Sequence, residues 1–220
     1  MRKTVVTSIE KLTKSILVSF LAFTLIACQN ESSAEPLDES KYSVLPKPLT
    51  VSTGDKIEVL ELFWYGCGHC FAIETPVENW LKNKPENAEF VKVPAVFSKR
   101  WEFHAKAFYT MESLGVLKQA NKGFFHHIHV GKKPMGNIDQ LVAFLADYEK
   151  TEEEVKSAFN SFAVDNNLRN AVKITRQSTA RGVPAFIIDG KYLTSVGDAG
   201  GTVQLFDTID QLVEKAASER

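Results

Sequence analysis

Two cysteines close a strongly apolar run in this 220-residue chain, Ile57-Glu58-Val59-Leu60-Glu61-Leu62-Phe63-Trp64-Tyr65-Gly66-Cys67-Gly68-His69-Cys70. The apolar part predicts a buried strand, and the residues that follow, Phe71-Ala72-Ile73-Glu74-Thr75-Pro76-Val77, predict the start of a helix. Both thiols would then lie on the first turn of that helix. Free N–H groups and the positive end of the helix dipole stabilise a thiolate there, so the pattern indicates redox chemistry.

Thiol–disulfide exchange requires an accessible thiolate and a second thiol that resolves the mixed disulfide. Cys67 is predicted to be the exposed attacking sulfur, and Cys70 the shielded resolving partner on the same helix face. His69 would further favour the Cys67 thiolate. Half of a metal site and a chance pair are the alternatives, but a strand before the pair and a helix after it favour the redox function. No metal site is expected, because a structural zinc ion requires four ligands.

Glu61 is an acid inside the apolar strand. Because side chains alternate along a strand, it shares a face with Val59 and Phe63, and we expect it to be buried. Burial would raise its pKa and suit it to relay a proton to Cys70. The residues leave a second interpretation open, in which Glu61 is neutralised by a lysine of a neighbouring strand, with Lys92 as the candidate.

The composition is that of one globular domain, or of one domain with an insertion, since 44% of the residues are hydrophobic and 24% are charged. The formal net charge is −1. Lys and Arg residues form no stripe interleaved with aromatic residues, and nucleic acid is therefore not expected as a partner.

The N-terminus has the pattern of a secretory signal, with basic residues in 1–14 and an apolar stretch in 15–27 that is short for a transmembrane helix. Leu25-Ile26-Ala27-Cys28 resembles the bacterial lipobox, which implies cleavage of residues 1–27 and a lipid on Cys28. An ordinary cleaved signal and an uncleaved anchor are the alternatives. Gln29, where Asp would signal retention at the inner membrane, favours the outer membrane of a Gram-negative host.

The remaining chain divides into four parts. Residues 28–48 are polar and contain prolines, which predicts a flexible tether with a reach of about 25 Å. Residues 49–98 predict strand, helix and strand, and 99–165 predict helices alone. Residues 166–220 predict two strands joined at Asp189-Gly190, a hairpin signal, and a final amphipathic helix.

A proline and four histidines are further candidates for a functional role. Val183-Pro184 precedes a predicted strand, and trans is the default because only about 5% of such bonds are cis. The group His126, His127 and His129 could suggest a metal site, but histidines on the surface of the helical part are the favoured interpretation. His104 lies on an apolar helix face and is expected to be a core residue.

The run from Val59 to Cys70, together with Gly182-Val183-Pro184, resembles the DsbA family of bacterial thiol:disulfide interchange proteins. The likeness covers nearly all of residues 50–218. It implies an α/β, thioredoxin-like fold with an inserted all-helical domain. The thioredoxin-like domain would consist of 49–98 and 166–220, and the insertion of 99–165.

The resemblance also implies roles for individual residues. Val183 and Pro184 would form a cis-proline loop that faces the disulfide and binds the substrate backbone, contrary to the trans default. Glu61 and Lys92 would form a buried charged pair beneath the active site. Cys67 would accept the attack of a substrate thiolate and Cys70 would leave. The disulfide would be the only redox group, without a further cofactor.

One dipeptide departs from the family pattern. Gly68-His69 stands where Pro-His is usual, and it is typical of protein disulfide isomerases. Glycine lacks the fixed φ of proline and restores an amide donor near Cys67. The balance between oxidase and isomerase activity therefore stays open.

The function expected from these residues is that of a lipid-anchored, monomeric periplasmic dithiol oxidase acting on newly secreted proteins that contain cysteine. A quinone-linked membrane partner of the DsbB type would reoxidise it. An isomerase or reductase kept in the dithiol state is the first alternative. The second is a chaperone-like, peptide-binding module in which the thiols matter less than a groove.

Overall fold

The computed structural model describes residues 37–220. The expected signal peptide, the lipobox with Cys28 and the first part of the tether lie outside these residues. Within 37–220, no helix is both long enough and apolar enough to cross a membrane.

A five-stranded mixed sheet forms the centre of the fold, with the strand order β1-β5-β4-β2-β3. The strands are β1 (Ser43–Val44), β2 (Ile57–Phe63), β3 (Ala88–Pro94), β4 (Ala185–Ile188) and β5 (Tyr192–Ser195). Strand β2 runs parallel to β3 and antiparallel to β4, and all seven of its residues are buried. The apolar run therefore forms the predicted buried strand.

Eight α-helices lie within residues 37–220. They are α1 (Gly68–Trp80), α2 (Lys99–Ser113), α3 (Leu117–His129), α4 (Ile138–Ala146), α5 (Glu152–Phe159), α6 (Phe162–Gln177), α7 (Val196–Ala199) and α8 (Thr202–Ser218). Helix α1 connects β2 to the parallel strand β3, and α2 to α6 follow one another between β3 and β4. This arrangement confirms the predicted α/β fold with a helical insertion.

The helical segment extends beyond residue 165, the last residue that the sequence assigned to it. Helix α6 begins at Phe162, where Ser161 caps its first turn by accepting a hydrogen bond from the Val164 N–H at 3.2 Å, and it continues to Gln177. The helix then reaches back to the sheet, where the Thr175 hydroxyl accepts a hydrogen bond from the Val96 N–H at 3.1 Å.

Two apolar clusters form the core. Leu60, Leu62 and Ile187 belong to the cluster that contains the buried residues of the helical segment. Val59 and Ile188 belong to the second cluster, which contains the buried face of α8. The central strands are thus covered on both sides, which explains why β2 is apolar throughout.

The end of the expected tether belongs to the folded part, which corrects the tether length. Strand β1 pairs with β5, and the Leu45 N–H donates to the Lys191 carbonyl at 2.8 Å. Leu45 is buried, and the Thr194 hydroxyl donates to the Lys41 carbonyl. Residues 37–48 therefore pack on the sheet, because its β5 edge offers unpaired backbone groups that a short strand satisfies.

The hairpin predicted at Asp189-Gly190 is present. Ile188 pairs with Tyr192, and Asp189 and Gly190 adopt φ angles of 50° and 66°. A Cβ atom on residue 190 would lie 2.4 Å from the Leu49 carbonyl oxygen. Only glycine therefore fits both the left-handed turn and the close approach of the chain before β2.

Candidate active site

Helix α1 begins at the cysteine pair. Cys67 is its N-cap residue, in an extended conformation, and Gly68 is its first helical residue. The Cys70 N–H donates to Cys67 Sγ at 3.4 Å, so a sulfur takes the role that a hydroxyl or carboxylate has in most caps. The Cys67 N–H closes the preceding turn by donating to the Trp64 carbonyl at 2.9 Å. Both thiols lie at the predicted start of the helix.

Cys67 is partly exposed, and its thiolate is stabilised. A hydrogen bond from the Cys70 side chain lowers the pKa of the Cys67 thiol most strongly. Partial burial opposes this effect, while the N–H groups of Cys70 and His69 and the charge of His69 lower the pKa further. The balance brings the pKa of Cys67 to about 6, so most of this thiol is ionised at neutral pH.

Cys70 has the opposite character. Its side chain is fully buried, and burial raises the pKa of its thiol far above the ordinary value. The hydrogen bond to Cys67 and the negative charge on that sulfur raise the pKa further. Both residues are free thiols in this structure. The pair thus consists of an accessible thiolate and a shielded thiol.

The loop before β4 faces the accessible sulfur. The Val183 carbonyl oxygen lies 3.5 Å from Cys67 Sγ, and the Val183–Pro184 peptide bond is cis. This corrects the trans form that frequency alone predicts. An open groove of about 770 Å³ extends from His69 along this loop to β5 and the start of α7. The groove is where an extended segment of another protein could lie beside Cys67.

Three charged side chains meet beneath the cysteines. Glu61 is fully buried, and its Oε2 atom lies 3.3 Å from Lys92 Nζ on the neighbouring strand. Lys92 also forms an ion pair and a hydrogen bond with Glu74 of α1. The pair predicted for Glu61 and Lys92 is present, and Glu74 makes it a triad. The position of Glu74, one turn after Cys70 on the buried helix face, was the signal available in the sequence.

Burial raises the pKa of Glu61 to about 7, although Lys92 opposes that rise. Burial lowers the pKa of Lys92, but Glu61 and Glu74 outweigh it, so the net shift is upward. Lys92 therefore keeps its charge, and Glu61 is the member of the triad that can exchange a proton near neutral pH.

A hydrogen-bonded chain continues from the triad into the helical segment. The Asn121 side chain of α3 donates to Glu74 Oε2 at 2.9 Å and accepts from the Tyr65 hydroxyl at 2.7 Å. Sequence reasoning missed Asn121 and Tyr65 as parts of the site. No local signal marks Asn121, because its place depends on how α3 packs against α1.

The histidines of the helical segment have individual environments. His126 is exposed, as predicted, while His129 is half-buried and its Nε2 atom lies 2.8 Å from the Tyr65 carbonyl oxygen. His127 packs against Phe144. Within residues 37–220, no group of three or more side chains of the metal-binding types could hold an ion.

His104 is the core residue that was expected, since it is 3% exposed and its Nε2 atom lies 2.7 Å from the Met135 carbonyl oxygen. Burial lowers the pKa of His104 to about 4, so its ring is neutral at physiological pH. Its Nδ1 atom has no hydrogen-bond partner among the described residues.

Comparison with known proteins agrees with this geometry. A family model described as a DSBA-like thioredoxin domain matches residues 91–212. Thiol:disulfide interchange protein DsbA of Pseudomonas aeruginosa is 37% identical over 175 residues, which cover 80% of this chain and 83% of the relative. The DsbA of Pseudomonas syringae pv. tomato is 33% identical over 184 residues, covering 83% of this chain and 86% of the relative.

Solved structures give the same result. The crystal structure of Pseudomonas aeruginosa DsbA superimposes with a TM-score of 0.76 at 36% sequence identity, covering 82% of this chain and 95% of that chain. Oxidoreductase DsbA from Xylella fastidiosa gives a TM-score of 0.76 at 26% identity, covering 81% and 96%. With the fold, the cysteine pair and the relatives in agreement, the chain belongs to the DsbA family of thiol–disulfide oxidoreductases.

Proposed function

We propose that this protein is a dithiol oxidase that donates its Cys67–Cys70 disulfide to newly secreted proteins. A substrate thiolate attacks Cys67 Sγ, a mixed disulfide forms, and Cys70 leaves as a thiolate. A second substrate thiolate then attacks the substrate sulfur of the mixed disulfide, and Cys67 leaves as a thiolate. The substrate loses two electrons as its disulfide forms, and the enzyme pair gains them.

The observation that carries this proposal is the contrast between the two thiols. Cys67 has a pKa of about 6, which makes it a good leaving group in the second step and stabilises the reduced enzyme. A stabilised reduced form corresponds to an oxidising disulfide. Cys70 is buried with a raised pKa, so its thiolate takes up a proton as soon as it is released.

Glu61 is the proposed source of that proton. Its pKa of about 7 leaves a large fraction of the carboxyl protonated at neutral pH, and its charge acts on the pKa of Cys70. Lys92 stabilises the carboxylate that remains, whereas the negative charge of Glu74 opposes it and helps to keep the pKa of Glu61 raised. The redox group is the disulfide itself, and we propose that no further cofactor takes part.

Substrate binding is assigned to Val183, Pro184 and the groove beside them. The Val183 carbonyl, already 3.5 Å from Cys67 Sγ, lies where the backbone of an extended substrate would pass during attack. Unfolded or newly secreted proteins that contain cysteine are the proposed substrates, and the enzyme acts as a monomer.

We further propose a periplasmic location with a lipid on Cys28 and attachment to the outer membrane. The apolar stretch before Cys28 and the polar residues after it support this location. A disulfide can persist outside the cytoplasm. A quinone-linked membrane protein of the DsbB type is the proposed reoxidant.

The redox state in cells tests the direction of electron flow. Acid quenching followed by alkylation should find the Cys67–Cys70 pair mainly oxidised. A mainly reduced pair would rule out the oxidase. It would instead favour the isomerase or reductase. That function is the second candidate because Gly68-His69 is the dipeptide typical of protein disulfide isomerases. Full complementation of an oxidase-deficient strain by Cys67→Ala would favour the chaperone-like module.

A further inference from the structure

Helix α3 contacts both the side-chain hydroxyl and the backbone carbonyl of Tyr65. Tyr65 is fully buried two residues before Cys67, and its hydroxyl donates to Asn121 at 2.7 Å. Its backbone carbonyl lies 2.8 Å from Nε2 of His129, the last residue of α3. The helical segment therefore contacts the backbone of the turn that presents the accessible sulfur of Cys67.

The chemistry of this contact fixes which atom donates. A carbonyl oxygen only accepts hydrogen bonds, so Nε2 of His129 must carry the hydrogen. A neutral ring with the hydrogen on Nε2 and a protonated ring both satisfy this condition. The contact is therefore retained whether or not the ring is charged.

The His129 ring is itself held in place. It stacks on Phe71, with centroids 5.0 Å apart and planes inclined by 7°. Phe71 directly follows Cys70, and its N–H donates to the Cys67 carbonyl at 3.0 Å. His129 thus contacts the chain on both sides of the cysteine pair, before it at Tyr65 and after it at Phe71.

The residue between Tyr65 and Cys67 is a glycine, which explains why such a contact matters. Gly66 has the conformational freedom of a residue without Cβ, so the Tyr65–Gly66 peptide could reorient if its carbonyl were free. The Cys67 N–H holds the other side of Gly66 through the Trp64 carbonyl. Reorientation would displace Cys67 Sγ relative to the N–H groups of Cys70 and His69.

We propose that His129 is a positioning residue for Cys67: its Nε2–H holds the Tyr65–Gly66 peptide and so keeps the accessible sulfur of Cys67 within reach of its N–H donors. The proposal rests on the thiol chemistry of Cys67 and not on the direction of electron flow. If the role of His129 is refuted, the proposed oxidase function still stands. If the cysteine pair is found reduced in cells, the oxidase function is refuted but the role of His129 still stands.

The His129→Phe variant tests the hydrogen bond, since it keeps a ring for stacking on Phe71 and removes the donor. Titration of the thiolate absorbance at 240 nm should show the pKa of Cys67 rising by about half a unit, roughly threefold in the ionisation constant. The equilibrium with glutathione should shift toward the oxidised enzyme by a similar factor. His129→Gln, which retains a side-chain N–H donor, should restore most of both values.

His127→Phe is the matched control, because His127 lies on the same helix and packs against Phe144. It should leave the titration unchanged. A native titration in His129→Phe, or equal shifts in His129→Phe and His129→Gln, would overturn the proposal. A measurement on the native protein covers the case in which a variant fails to fold. Long-range ¹H–¹⁵N spectra must show hydrogen on Nε2 of His129, and a neutral ring with hydrogen on Nδ1 would refute the proposal.

Discussion

Neither carboxylate oxygen of Glu61 accepts a hydrogen bond from the described residues, although the side chain is fully buried. The ion pair with Lys92 compensates only part of the cost of burial, so the pKa of Glu61 is raised to about 7. Between about pH 4.5 and 7 the folded protein holds a proton that the unfolded chain has released. The free energy of unfolding therefore falls as pH rises through that window.

Glu61→Gln should remove this loss of stability, since glutamine does not ionise and Lys92 keeps Glu74 as its partner. The reduced variant should be more stable than the native protein above pH 7, by up to about 1.4 kcal/mol for each unit of pKa shift. The difference should vanish near pH 4. Urea unfolding at pH 4, 6 and 8 measures it. Glu89→Gln, on the exposed side of β3, is the control, and lower stability of Glu61→Gln at pH 8 would contradict the prediction.

Two glycines near Cys67 differ in the space around them. A Cβ atom on Gly66 would lie 2.3 Å from the Trp64 ring, which is stacked on Trp101, whereas a Cβ atom on Gly68 meets nothing within 4 Å. Gly66→Ala should therefore displace Trp64 and lower the free energy of unfolding by about 1–3 kcal/mol. Gly68→Ala should change it by less than about 1 kcal/mol. Thermal unfolding of the two reduced variants gives the comparison, and equal losses would show that the crowding at Gly66 is relieved without cost.

Among the secondary-structure elements, β1 tests whether residues 37–48 stabilise the sheet. Leu45, just after β1, is buried, whereas Val44 is 64% exposed. Leu45→Ala should cost about 2–4 kcal/mol because it leaves a cavity in the core. Val44→Ala should cost less than about 0.5 kcal/mol. Chemical denaturation of both variants measures these two losses in the free energy of unfolding. A small loss for Leu45→Ala would contradict the prediction and mean that the contacts of this segment add little to the free energy of unfolding.

At the scale of the whole molecule, the attachment at Cys28 can be separated from the redox chemistry. Cys28→Ala should abolish palmitate labelling and move the protein from the membrane to the soluble fraction, since the proposed anchor is the lipid on that sulfur. The equilibrium with glutathione should stay unchanged, because Cys67 and Cys70 are retained. Alanine at Ser32, a nearby residue of the tether, provides the control. Unchanged labelling in Cys28→Ala would refute the anchor.

The order of strands and helices follows from local sequence patterns, so it could be predicted from the sequence alone. The apolar run before Cys67 indicated β2, the helical periodicity of 99–165 indicated the insertion, and Asp189-Gly190 indicated the β4–β5 hairpin. The position of Cys67 and Cys70 on the first turn of a helix also followed from neighbouring residues alone. The spacing of apolar residues and the residue preferences of turns depend on neighbours within a few positions, so both can be recognised in the sequence without a structure.

Contacts between distant segments needed the tertiary structure. Asn121 and His129 join the site only because α3 packs against α1 and the turn before it, and no spacing in the chain shows which faces meet. Glu74 lies one turn after Cys70, but its ion pair with Lys92 depends on how α1 packs on β3. The cis form of Val183–Pro184 and the pairing of β1 with β5 depend in the same way on the surrounding structure. By itself, the sequence determined the elements and the reactive pair, since these depend on local forces. Only the packing of distant residues decided how that pair is held and tuned.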